Sequence, residues 1–158
     1  MTFMEEFVAS GGNPIRHDGR DLHWTFYLPV QAGNVVEIRF RDFKRVPVQG
    51  LAIDCDDCMV EVAGTRSRKF QLWTDSAPER VCLKVIRAKP MAKLALFNVW
   101  TDPDHSTMLY RLNNAAILPE SGSDGWVTLN CSDGLGPPEF GDLVVDLKLT
   151  GDAGPAGP

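Results

Sequence analysis

Apolar side chains two residues apart, in runs too short for a helix, recur along most of this chain, and that period decides the fold class before any motif does. Leu22, Trp24, Phe26 and Leu28 fall on one side of an extended backbone, while His23, Thr25 and Tyr27 fall on the other. Val36, Ile38 and Phe40 alternate in the same way with Glu37, Arg39 and Arg41. A strand with one wet face suits antiparallel pairing. Further short strands are expected at 51–54 and 59–63, either side of a Cys-Asp-Asp-Cys turn, and at 115–118, 126–131 and 142–150, with the Gly-Thr-Arg-Ser-Arg stretch at 64–68 as a turn. Fourteen Gly and eleven Pro lie between these runs as punctuation. The reading is an all-β protein, an antiparallel β-sandwich or jelly roll of roughly 8–10 short strands, with a closed β-barrel as the alternative.

One unit is written twice. Residues 70–85 and 97–112 align without a gap at Phe70/Phe97, Trp73/Trp100, Thr74/Thr101 and Asp75/Asp102. This predicts two equivalent hairpins, with arms near 68–73, 80–87, 92–100 and 107–112, whose Thr-Asp turns satisfy local backbone N–H groups. Two copies fall short of the three or more that a stacked repeat architecture needs.

Length and composition bound the rest. A chain of 158 residues makes one domain with a core of its own, here assigned to 21–150. Residues 1–20 form an N-terminal arm, in which Phe3 with Phe7 and Met4 with Val8 have helical spacing. Residues 151–158 form a flexible Gly/Pro tail. The net charge of −5 gives no reason to expect nucleic acid as a partner. Glu5 and Glu6 stand where a secretory signal would be positive, and no stretch approaches the ~20 apolar residues of a membrane helix. A cytoplasmic, soluble product, or one delivered by a route that needs no cleaved signal, is expected, with no membrane partner.

Chemistry-bearing clusters are few. Cys55 and Cys58 could grip one edge of a zinc ion, but a structural site needs four ligands and no second close pair exists; small thiols in a reducing compartment are the plainer reading. Asp102, Asp104 and Ser106 open like a calcium loop, yet Thr107 and Asn113 stand where its Gly and bidentate Glu belong. Zinc and calcium are therefore weak candidates, and no cofactor is expected. His17, His23 and His105 come without any nucleophile-elbow spacing, so no catalytic residue is assigned.

The aromatic residues say more once assigned to faces. Trp24 and Trp100 share parity with apolar neighbours and belong in the core. Trp73 lies in line with Lys69 and Gln71, Trp126 with Thr128 and Asn130, and Tyr27 with His23 and Thr25, all polar faces. Such rings either are covered by a loop or by the N-terminal segment, or they meet a ligand. The leading expectation is a non-catalytic recognition module that binds carbohydrate through Trp73, Trp126, Tyr27 and Asp75, with loops 101–106 and 119–125 contributing. A structural or assembly subunit, such as a homo-oligomer acting through protein-protein contacts with the terminal segments as arms, is the alternative. An enzyme with a pocket invisible in sequence is a third.

Overall fold

A computed structural model describes residues 1–104 and 106–151. Helix α1 (Phe3–Ala9) precedes a small hairpin of β1 (Ile15–His17) and β2 (Arg20–Leu22). Strands β3 (Phe26–Pro29), β4 (Val35–Phe43), β5 (Gln49–Asp54), β6 (Cys58–Val62), β7 (Thr65–Ser67) and β8 (Lys69–Trp73) follow. The second half holds β9 (Arg80–Ala88), β10 (Lys93–Thr101), β11 (Met108–Leu109), β12 (Asn114–Ser121), β13 (Trp126–Gly134) and β14 (Leu143–Thr150).

Two antiparallel sheets face each other. One has the order β12-β13-β14-β4-β9-β6-β7; the other runs β11-β10-β5-β8, with β3 also paired to β10. Neither closes on itself, so the architecture is a sandwich and not a barrel. The alternation seen in sequence places Val36, Ile38 and Phe40 of β4, Val81, Leu83 and Val85 of β9, and Val145 and Leu147 of β14 in the core. Leu51 and Ile53 of β5 and Leu94 and Leu96 of β10 belong to the same cluster. Each such side chain contributes about 1.5–3 kcal/mol on burial, and Trp100 is enclosed as its parity predicts, at 1% exposure.

The expected strand over 22–28 is broken. His23 exchanges both backbone hydrogen bonds with Ile117, each 2.8 Å, which pins the chain to β12 at the edge of the larger sheet. Three residues on, β3 pairs with β10 in the other sheet. Leu22 therefore joins a second, smaller cluster with Phe3, Phe7, Ile15, Ala116 and Leu118, while Phe26 and Leu28 pack on the main core. Trp24 sits at this crossing, half-buried and outside the main core, with its ring stacked on Phe7 at 5.0 Å.

The two aligned units also part company. Strand β8 pairs with β5, whereas β9 pairs with β4 and β6. The first copy is thus an arch between sheets, and only β10–β11 is a hairpin. Their shared Thr-Asp pairs do different work. The Thr74 hydroxyl donates across the sheet to the Gln49 carbonyl at 3.0 Å. Asp102 accepts from the Ser106 and Thr107 N–H groups at 2.9 and 3.2 Å, as a local turn residue does. The 64–68 stretch, expected as a turn, instead places Thr65–Ser67 as β7 against β6.

At the N-terminus the Phe3/Phe7 spacing gives α1, whose Thr2 and Glu5 form a reciprocal capping box. Seven residues cannot hold a helix alone; burial of Phe3 and Phe7 against β12 holds this one. Residues 152–158 of the expected tail, and His105, lie outside the described residues.

Candidate ligand-binding face

The outward side of the smaller sheet can be read from its register, because residues directly opposite across a ladder share a face. Tyr27 is opposite Ala95, Ala95 opposite Asp54, and Asp54 opposite Lys69. Two pairs along, Phe97, Ala52 and Gln71 align, and two further on Val99, Gly50 and Trp73 do. Tyr27 and Trp73 therefore project from the same face. They are four residues apart along β10 and three strand spacings across, which puts their Cα atoms about 20 Å apart.

Trp73 is half-buried at the far end of this face. Its Cε3 comes within 2.8 Å of where a Cβ on Gly50 would sit, so the indole lies over a position that must lack a side chain. Beneath it, Val99 is fully buried although it points outward. Trp73 also borders an open cleft of about 550 Å3, lined with it by Val48, Asp75, Thr101, Ser106, Thr107 and Met108. The Ser76 and Ala77 N–H groups donate to the Trp73 carbonyl at 3.1 and 2.8 Å, a turn that leaves exposed Asp75 beside the ring. Two of the four sequence-chosen residues, Trp73 and Asp75, are thus brought together, and the 101–106 loop contributes to the same cleft.

Midway along the face, the chain after β11 covers the sheet. The Tyr110 ring lies 5.4 Å from that of Phe97, and the Arg111 guanidinium lies 4.9 Å from the Phe97 ring centre. This cover separates the Trp73 cleft from a hollow at the Tyr27 end, about 390 Å3 in volume, walled by Asn13, Trp24, Thr25, Tyr27 and Arg111. Tyr27 is 52% exposed, and Lys93 Nζ sits 4.4 Å from its ring centre. Sequence reasoning singled out Tyr27 but missed Arg111, which lines the same hollow and comes there only through the fold.

Trp126 stands apart. On β13 it is opposite Lys148 of β14, with Thr128 and Asn130 on its side of the larger sheet, so it faces outward from the other half of the sandwich. The Arg39 guanidinium and Lys148 ammonium lie 4.8 and 5.7 Å from its ring. The 119–125 stretch, expected as a loop, instead continues β12 to Ser121, and the chain reaches Trp126 through Gly122 and a short 3₁₀ turn, Ser123–Gly125.

Cys55 and Cys58 are joined to each other as a disulfide, in place of the free thiols expected from sequence. In this form neither sulfur is a thiolate ligand. Asp102 is occupied in its turn, where desolvation, the largest single influence, raises its carboxyl but is outweighed by the combined hydrogen bonds of Ser106 and Thr107, which hold it below the usual range. Among the described residues, no three His, Cys, Asp or Glu side chains gather as a metal site would require. Burial pushes the Cys131 thiol up, which makes it unreactive. Burial lowers the pKa of His23, against the pull of Asp21. The chain matches no family model, no curated protein and no solved structure.

Proposed function

We propose that the protein is a non-catalytic recognition module whose ligand is carbohydrate, bound in the cleft at Trp73. The observation that carries this reading is the juxtaposition of the Trp73 indole, the Asp75 carboxylate and the hydroxyl-bearing residues Ser106 and Thr107 around one open cleft. A flat ring covers the apolar C–H side of a pyranose, and a carboxylate with hydroxyls bonds the sugar's own hydroxyls, the combination of apolar wall and few polar groups that ligand sites use. The other outward aromatics extend the surface without joining this cleft. The test is a glycan array followed by titration, with wild type, Trp73→Phe and Asp75→Asn. Asp75 is exposed, so its substitution leaves the fold intact. Sugar binding by wild type, weakened in both variants, is expected; no glycan bound by wild type ends the proposal.

A second reading, an assembly subunit, is favoured by one feature. Met91, 95% exposed, shares an apolar groove with Pro29, Val30, Ala92 and Leu149 at one end of the sandwich. Light scattering that shows a dimer dissociated by Met91→Glu supports it, and a strict monomer removes it.

A further inference from the structure

We propose that the hollow beside Tyr27 is a second binding site, separate from the Trp73 cleft, and that it takes a ring-shaped ligand bearing a carboxylate. Its charge carries the argument. Arg111 is the one charged residue among those described that line the hollow. Its guanidinium is packed against three rings, at 4.9 Å from Phe97, 5.7 Å from Trp24 and 5.9 Å from Tyr110. It donates a hydrogen bond to the hydroxyl of buried Thr25, and its Nε is buried without a partner. No ion pair to Arg111 occurs among the described residues.

The contrast with Arg39 is informative. That side chain also lies on a ring, Trp126, but Glu37 sits 3.8 Å from it and offsets its charge. Arg111 is held instead as a cation with no acid beside it. A guanidinium taken partly out of water needs an anion or a dense set of acceptors to offset its lost hydration. Here one neutral hydroxyl supplies what the protein offers. The hollow next to it is open, and Arg111 is the cation that faces it.

Shape and chemistry then select the ligand. A guanidinium presents its donors as a planar fork that a carboxylate meets with two parallel bonds. The indole of Trp24 and the phenol of Tyr27 supply apolar surface on which a flat or pyranose ring rests.

Two sources could supply such a group: an acidic sugar or a free aromatic acid. Tryptophan fluorescence and calorimetry with a galacturonate oligomer, its methyl ester and benzoate distinguish them, because Trp24 forms part of the wall. Binding of the galacturonate oligomer identifies a uronic acid, and binding of benzoate alone identifies the free acid; either supports the site. The methyl ester, which keeps the ring and removes the charge, is expected to bind about tenfold or more weakly. Arg111→Lys keeps the charge but loses the fork and should weaken binding by about tenfold. Tyr27→Ala, at an exposed position that the fold does not need, should weaken it too. Arg45→Gln removes an exposed arginine elsewhere and should leave it unchanged. Binding of neither acid by wild type, equal binding of acid and ester, or undiminished binding by both Arg111→Lys and Tyr27→Ala overturns the proposal. Trp73 and Asp75 variants report on the first cleft alone, so failure of one site is distinguishable from failure of the other.

Discussion

The indole of Trp73 occupies the space that a side chain on Gly50 would fill. The two are paired across β8 and β5, and an added Cβ would lie 2.8 Å from Trp73 Cε3 and 3.0 Å from the Leu72 carbonyl oxygen. A ring alone can swing aside, but the carbonyl is fixed by the ladder. Gly50→Ala is therefore expected to destabilise the protein by about 1–3 kcal/mol, as overpacking does, and to tilt Trp73 away from the cleft. Urea unfolding measures the first effect and a shift in tryptophan emission the second. A variant as stable as wild type, with unchanged emission, would show that the contact does not constrain the ring.

The Cys55–Cys58 disulfide closes a very short loop between β5 and β6. Chain-entropy arguments give such a small loop a stabilisation of about 2 kcal/mol. The Cys55→Ser, Cys58→Ser double variant should lose about that much, and mass spectrometry of wild type under non-reducing conditions should show two hydrogens fewer than the fully reduced chain. Two alkylatable thiols at these positions in the purified protein would contradict the bond.

Local periodicity made the main strands legible. The alternation of Val36, Ile38 and Phe40, and the two apolar faces around Trp100, follow from side-chain geometry along one backbone, which sequence records directly. What could not be read was which sheet a strand enters. Phe70–Val85 and Phe97–Leu112 look alike because both need a strand, a Thr-Asp turn and another strand, yet β8 and β9 lie in different sheets while β10 and β11 share one. That choice is made by long-range pairing of β9 with β4 and β6, invisible in either segment. The same limit applies to the binding face. Parity placed Trp73 and Tyr27 outward, with Trp73 bordering a turn that carries Asp75. Arg111 reaches Thr25, 86 residues away in sequence, only after the sandwich has closed.

Phe7 couples α1 to the hollow, since it is fully buried and stacks on Trp24 at 5.0 Å. Truncation of a buried Phe costs about 3–5 kcal/mol, and a seven-residue helix has no stability of its own to offset the loss. Phe7→Ala should release α1 locally while the main core, built from other residues, stays closed. Hydrogen exchange is expected to accelerate by roughly 100-fold at α1 amides, with β4 and β14 still protected. Uniform acceleration across all strands would mean that the small cluster and the main core unfold as one unit.

A buried polar cluster between the sheets sets a pH dependence. Lys44 Nζ lies 2.7 Å from Asp133 and 3.6 Å from Asp142, and the Gln49 amide donates to Asp133 at 3.0 Å across the gap between β5 and β13. Burial pushes the Asp142 carboxyl up from 3.8 to about 6; the Asp133 backbone N–H opposes this, the Asp133 carboxylate adds to it, and Lys44 opposes it again. Between those two values the folded chain holds a proton at Asp142 that the unfolded chain has released. The unfolded state then binds fewer protons, so this group makes stability fall as pH rises from near 4 to about 6 and adds no further slope above that. Asp142→Asn cannot ionise and keeps an oxygen to accept the Asp133 N–H bond. Urea midpoints taken across this range should fall less with pH in the variant than in wild type. Parallel profiles would show that Asp142 titrates as an ordinary surface carboxylate.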